Sequence, residues 1–127
     1  MKLLLDTHTF LWWDNEPNKL SAAALAAIID PDDSVYLSVV SVWEIIIKSS
    51  LGKLTLSSPL ADRIARQEAN GVQILPAHLS HVLAVGTLPM IHKGPFDRLL
   101  VAQTHVEGFD LVSDDQLLDG YAIRRLW

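Results

Sequence analysis

The sequence predicts an α/β fold in one domain, a parallel sheet with helices on both faces, and three observations carry that expectation. The chain has 127 residues, the length of a single domain. Half of it is hydrophobic and a fifth is charged, enough apolar surface for a real core and too much for a disordered chain. Short apolar or β-branched runs alternate with helical stretches of about ten residues, the order that parallel strands joined by crossover helices produce.

Taken in order, Lys2–Leu5 reads as a short buried strand, ended by Asp6 and Thr7. Thr7–Asp14 reads as a short helix, and Asn15-Glu16-Pro17-Asn18 as a turn. Ser21 caps an alanine-rich helix over Ala22–Ile29, which Asp30-Pro31-Asp32-Asp33 breaks. Val35–Val39 is β-branched and reads as the second strand. Ser41 is expected to cap a helix over Val42–Ser50, because Ser41-x-x-Glu44 has the form of a capping box, and Gly52 ends it. A further helix runs from Pro59 to Ala69, with Gly71 beyond its end. Val72–Leu75 is the third strand and Ala77–Val85 a helix, followed by a loop carrying Gly86, Pro89, Gly94 and Pro95. Asp97 is expected to cap a helix over Arg98–Glu107 that Gly108 stops. Asp110–Val112 is the fourth strand, Ser113-x-x-Gln116 opens a short helix, and Ala122–Trp127 adds a final strand.

Composition removes several function classes. Without cysteine there is no disulfide framework, thiolate zinc site, iron–sulfur cluster or thiol nucleophile. The longest apolar runs are far too short to cross a bilayer. Met1-Lys2 leads directly into an apolar strand with no cleavage site, so no secretory signal is expected and a cytoplasmic protein is the default. Fifteen acids against ten bases give a net charge of −5. A protein that held nucleic acid by general electrostatics would be basic, so any contact with nucleic acid requires a local offset to the carboxylates, such as a divalent cation.

Ligands of parallel α/β sheets bind beyond the carboxyl ends of the strands, and acids gather there in this sequence. Asp6 follows the first strand, Glu44 lies just beyond the second, and Asp114 and Asp115 follow the fourth, while Asp97 joins them if its helix packs nearby. Each has a local explanation as well. Asp6 and Asp97 suit helix caps, Glu44 suits a capping box and an i,i+4 pair with Lys48, and Asp115 suits a first helical turn. Together the local explanations weaken, because clustered carboxylates repel one another unless a cation lies between them. Hard oxygen donors without thiols suit Mg²⁺ or Mn²⁺, whose characteristic chemistry is phosphoryl transfer to water.

Four motifs, in order, extend this reading. Leu3-Leu4-Leu5-Asp6-Thr7-His8, Ser41-Val42-Trp43-Glu44-Ile45, Gly94-Pro95-Phe96-Asp97-Arg98-Leu99-Leu100-Val101-Ala102-Gln103 and Leu111-Val112-Ser113-Asp114-Asp115 together resemble the PIN domain, and among its members the VapC-like ribonuclease toxins of type II toxin–antitoxin pairs. The resemblance spans essentially the whole chain. It implies a three-layer α/β/α fold around a mainly parallel sheet, a Mg²⁺-dependent endoribonuclease with Mn²⁺ as a substitute, a homodimer, an RNA substrate and a small inhibitory antitoxin. Asp6, Glu44, Asp97 and Asp115 match the family's acidic quartet, both catalytic and metal-holding. Ser113 matches the Ser/Thr two residues before the last acid, and Asp114 is then the variable residue between them. One departure stands out. Relatives often read His-x-Asp-Pro-Phe-Asp-Arg, whereas this chain has His92-Lys93-Gly94-Pro95-Phe96-Asp97-Arg98, so Gly94 removes an acid near the site and bears on whether a second metal binds.

Supporting roles follow from residue type. Thr7 and Ser113 can hydrogen-bond a neighbouring carboxylate or cap a helix, and Arg98 can meet a scissile phosphate or form a structural ion pair. Lys48, Lys53 and Lys93 read as solvated lysines before RNA contacts. The five histidines lack zinc-site spacing. Trp12 and Trp13 read as core first and as a dimer or antitoxin contact second, and the surplus of apolar side chains in so small a domain points to a homodimer. Two other functions compete: a non-catalytic PIN-fold RNA-binding or interaction module, and a haloacid-dehalogenase-like phosphatase. The second needs an aspartate two residues after the first, where this chain has His8. A receiver domain needs paired acids after its first strand, where Asp6 stands alone.

Overall fold

In the computed structural model, which describes Met1–Trp127, strand β1 (Lys2–Leu5) is the spine of the sheet, with Leu3, Leu4 and Leu5 wholly buried. Successive side chains on a strand point to opposite faces. Leu3 and Leu5 accordingly belong to one hydrophobic cluster and Leu4 to the other. An unbroken apolar run is what a strand covered on both faces requires.

Strands β2 (Ser34–Ser38) and β3 (Gln73–Leu75) extend the sheet on one side of β1, and β4 (Asp110–Val112) and β5 (Arg124–Leu126) extend it on the other. The order is β3-β2-β1-β4-β5 and every pairing is parallel. Helices α1 (Thr7–Asn15) and α2 (Ala22–Ile29) cover the Leu3/Leu5 face through Phe10, Ala24, Ala27 and Ile28. Helix α3 (Val39–Ser50) contributes Ile45 to that cluster and Val40 to the opposite one, and α4 (Leu60–Ala69) packs Ile64 on the first. Helix α5 (Leu79–Val85) lies against α6 (Pro95–Glu107), which covers the Leu4 face with Leu100 and Val101. The expected three-layer α/β/α arrangement is present, and the final strand is real.

Two boundaries differ from expectation in ways that bear on the site. No capping box forms at Ser41. Strand β2 passes directly into α3 at Ser38, whose Oγ accepts the Val40 N–H at 3.0 Å. Val39 and Val40 are β-branched yet helical, because burial of Val40 against α6 and β1 outweighs a small local propensity. Ser41 is buried inside the helix with its Oγ unpartnered, and Glu44 lies in the second turn. Asp97 likewise does not cap its helix: Gly94 is the N-cap residue, Pro95 opens the first turn and Asp97 lies within it, making no cap hydrogen bond. Proline's fixed φ and missing N–H suit that first position. The last short helix is a 3₁₀ segment over Gln116–Gly120, and α6 ends as expected at Gly108, which has φ +70°.

Connections from β1 build outward to β3, and the chain then returns to place β4 on the other side of β1. The crossovers therefore diverge between β1 and β4, the position where a crevice opens beyond the strand ends.

Candidate active site

Asp6 and Asp115 stand at that crevice. Asp6 leaves β1 with its N–H donating to the Val112 carbonyl of β4 at 3.1 Å, and its Oδ1 accepts the Thr9 N–H at 2.8 Å, so it also caps α1. Asp115 follows β4 and accepts the Leu117 N–H on Oδ1 at 3.0 Å. In both, the cap and the cavity use the same side chain, so the local explanation and the functional one coexist. Glu44 reaches in from α3 and Asp97 from the first turn of α6. The four acids line one cavity of about 210 Å³ together with Thr7, His8, Lys48, His92 and Asp114. No hydrophobic side chain lines it.

Glu44 is held at both oxygens: the Thr7 hydroxyl donates to Oε1 at 2.5 Å and Lys48 Nζ stands 2.8 Å from Oε2. Ser113 Oγ accepts the Asp115 N–H at 3.1 Å, and its hydroxyl favours the ionised form of Asp6. His92 Nδ1 accepts the Gly94 N–H at 3.0 Å, which leaves Nε2 as the protonated nitrogen. That Nε2 lies 3.4 Å from Asp97 Oδ2 and 3.3 Å from Asp115 Oδ2. Gly94 leaves room for this approach: a Cβ there would lie 3.1 Å from Asp97 Oδ2 and 3.2 Å from His92 Cε1, close enough that these side chains would have to shift by a few tenths of an ångström.

The electrostatics are those of an anion cluster short of positive charge. Burial pushes the Asp6 carboxyl above the ordinary value, against hydrogen bonds from Ser113 and Thr9. Burial also raises Asp97; His92 opposes the rise, and the charges of Glu44, Asp6 and Asp115 add to it. The donor set, carboxylate oxygens with imidazoles and no thiol, fits a hard divalent cation. As the side chains stand, no three acids or imidazoles close into a finished cation cage, because Glu44 is turned to Lys48 and His92 lies against Asp97 and Asp115.

The PIN domain family model matches residues 3–123. The chain belongs to the PIN domain family. This PIN domain is 31% identical over 117 residues to Ribonuclease VapC22 of Mycobacterium tuberculosis (strain ATCC 25618 / H37Rv), across 91% of this chain and 88% of that protein. Its fold is similar to a chain of VapBC2 from Rickettsia felis bound to a DNA fragment from their promoter, with a TM-score of 0.71 at 12% identity, covering 98% of this chain and 97% of that one. It is similar also to a chain of DNA-bound VapBC from Salmonella typhimurium, with a TM-score of 0.67 at 15% identity, covering 98% and 96%.

Several residues of this PIN domain lie elsewhere than the sequence suggests. Arg98 does not line the cavity and meets no carboxylate. It is buried, and it donates to the Pro89 carbonyl at 2.9 Å and the Val85 carbonyl at 3.2 Å, clamping the segment that carries His92. Lys53 and Lys93 are exposed and do not line the cavity. Trp12 and Trp13 pack against the first cluster, and Trp13 Nε1 donates to Gln67 at 2.8 Å. Of the cavity residues, His8 and His92 have no site role in the sequence reading, whereas Asp114 stands there among the acids after the fourth strand and Lys48 as the i,i+4 partner of Glu44. Lys48 carried a usable signal, its i,i+4 spacing from Glu44; the approach of His92 depends on a loop that no periodicity describes.

Proposed function

We propose that this PIN domain is a Mg²⁺-dependent endoribonuclease, with Mn²⁺ as a substitute, acting in the cytoplasm as the toxin of a type II toxin–antitoxin pair. One observation carries the reading: four carboxylates from four different elements meet in a single polar cavity at the point where the crossovers diverge. The similarity to Ribonuclease VapC22 supports RNA as the substrate, and the likeness to chains of VapBC assemblies supports a small antitoxin as the partner.

Asp6, Glu44, Asp97 and Asp115 would hold the cation. When bound, it supplies a lowered pKa for the attacking water and charge stabilisation for the leaving oxygen. The chain's own residues prepare that site. Thr7 fixes the rotamer of Glu44, Ser113 holds the backbone N–H of Asp115, and Arg98 holds the loop that aims His92 Nε2 at the two remaining acids. Because Asp6 and Asp115 each keep one oxygen on a helix-cap N–H, their geometry is set before any ligand arrives.

The homodimer has a surface to use. Val39, Trp43 and Ile46 form an exposed stripe on α3 at helical spacing, and Leu79, Val82 and Leu83 are exposed on α5. Both helices pack beside α6. Apolar side chains grouped in this way mark an association face. No helix is long and apolar enough to cross a membrane.

The test is cleavage of a 5′-labelled single-stranded RNA followed on a denaturing gel. Wild type is expected to cleave in Mg²⁺ and to stop in EDTA, and Asp97→Asn is expected to lose cleavage while melting cooperatively. Cleavage that persists in EDTA, or in a metal-replete Asp97→Asn variant, would overturn the reading.

A further inference from the structure

The cavity holds five carboxylates, those of Asp6, Glu44, Asp97, Asp114 and Asp115, and one permanently cationic side chain, Lys48. Elsewhere most bases are committed. Arg63 and Arg66 pair with Asp14, Arg125 with Asp119, Arg124 with Asp110 and Lys19 with Glu16, while Arg98 is engaged with loop carbonyls. Lys2, Lys53 and Lys93 have no ion-pair partner, but none lines the cavity. Among the residues lining the site, Lys48 is therefore the one lysine or arginine that a polyanionic substrate meets.

Lys48 is built to change partners. Its Nζ stands 2.8 Å from Glu44 Oε2, yet its side chain is 36% exposed where that of Glu44 is 8% exposed. The ammonium thus reaches from a buried carboxylate to the rim of the cavity on a flexible stem. Glu44 keeps its place without it, because Thr7 holds the other oxygen.

We infer that Lys48 is a substrate-binding residue that exchanges partners, resting on Glu44 in the free protein and taking an RNA phosphate once a divalent cation claims that carboxylate. This rests on the metal-dependent ribonuclease reading above. It gives a chain of net charge −5 a way to couple RNA capture to the cation: the same event that neutralises Glu44 frees the lysine.

Lys48→Gln tests the exchange, because it acts with opposite sign on the two ligands. Mn²⁺ binding is measured by titration calorimetry. Affinity for a fluorescein-labelled single-stranded RNA is measured by anisotropy across a KCl series in millimolar Ca²⁺ and again in EDTA, with the oligonucleotide checked for integrity on a gel. Lys48→Gln is expected to bind Mn²⁺ about two- to fivefold more tightly, the scale of a partly exposed pair that no longer competes. In Ca²⁺ it is expected to bind RNA roughly three- to tenfold more weakly, with the log–log salt slope reduced by about 0.7, the signature of one lost phosphate contact on a single strand. In EDTA its RNA affinity should equal that of wild type, and Lys48→Arg should restore binding in Ca²⁺. A loss of RNA affinity that is the same in EDTA and Ca²⁺, or no loss in either, overturns the inference while leaving the ribonuclease reading intact. If wild type binds no Mn²⁺ and cleaves no RNA, that reading falls and this one with it.

Discussion

Replacing Asp6 by Asn removes one full charge from the cavity and almost nothing else. The Asn Oδ1 can still accept the Thr9 N–H that Asp6 accepts at 2.8 Å, and Asn caps a helix as well as Asp does. What changes is the electrostatic cost. The Asp6 side chain is buried and shares its cavity with Glu44, Asp97 and Asp115. Two like charges some 6 Å apart repel by about 3 kcal/mol at an effective dielectric of about 20. Lys48 and His92 cancel part of that in the free protein, leaving an expected gain of about 1–2 kcal/mol for the variant, in the range that relief of a strained functional site provides. For a domain of this length that raises Tm by roughly 3–8 °C.

The comparison is made by calorimetric melting in EDTA and in Mg²⁺. In EDTA Asp6→Asn should melt above wild type at neutral pH. Burial raises the folded-state pKa of Asp6 above 3.8, so the folded state binds the extra proton and the ionised group lowers stability as pH rises through that folded value. The advantage of the variant should therefore be full above the folded pKa and should vanish as pH falls to the unfolded value. In Mg²⁺ the order should narrow or reverse: a cation at ten times its Kd adds about 1.4 kcal/mol to wild type, and the variant, lacking one of the proposed ligands, should gain little and cleave at least about a hundredfold more slowly. A variant that melts below wild type in EDTA would refute the electrostatic argument, and wild type that cleaves RNA with no Mg²⁺-dependent shift at millimolar metal would refute the cation's place in it.

Three further outcomes follow from the same structure. Arg98→Met strands the carbonyls of Val85 and Pro89 that the guanidinium now satisfies; urea unfolding should show a loss of about 2–3 kcal/mol, with cleavage falling as His92 loses its support. Burial tends to raise Asp14, but hydrogen bonds from Arg66, Gln67 and Arg63 outweigh it and hold the carboxyl below 3.8. Its contribution should be present above the unfolded value and lost as pH falls through the lower folded one, and Asp14→Asn, which leaves the buried Arg63 unpaired, should cost about 3 kcal/mol at pH 7 and flatten that acid limb. Trp43→Arg places a charge in the exposed stripe of α3, so light scattering should change from a dimer to a particle of 14.1 kDa, whereas a wild type already of that mass would remove the dimer.

Most of the fold was legible because its signals are local or periodic. An unalternating Leu3-Leu4-Leu5 run requires cover on both faces, and that cover is present in the two clusters to which these leucines belong. Gly108 stops α6 with a positive φ, and Ser21 caps α2 through the Ala24 N–H. The misplaced boundaries are those where tertiary structure overrides the local cue. Ser41 offered a well-formed capping box, but the chain entered the helix three residues earlier at Ser38, whose Oγ also donates to Gln103 Oε1 at 2.6 Å across to α6. A serine that both caps α3 and bonds α6 outcompetes one that would only cap, and no window of neighbouring residues contains Gln103.

The site divides along the same line. Three of the acids were readable because strand ends in a parallel sheet converge on one side: Asp6 and Asp115 directly follow β1 and β4, and Glu44 lies in the helix that follows β2, whereas Asp97, in the first turn of α6 and far along the chain from β3, was legible only through its motif. Of the counter-charges, Lys48 was readable from its i,i+4 spacing to Glu44, and the pair forms; His92 was not, because its place depends on which side chains fill the space among the acids. Gly94 makes the point. In sequence it reads as an acid missing from the motif, a subtraction. In space a Cβ at that position would press on both Asp97 Oδ2 and the His92 ring, so glycine leaves room for an imidazole N–H between Asp97 and Asp115 that alanine would crowd. Gly94→Ala should therefore displace His92 rather than unfold the helix, since an N-cap alanine costs only about 1 kcal/mol. It should lower cleavage while shifting Tm by no more than about 5 °C, and His92→Ala on its own should produce the same loss. If Gly94→Ala retains full activity while His92→Ala loses it, the glycine does not serve to admit the histidine, and the departure from the motif needs another cause.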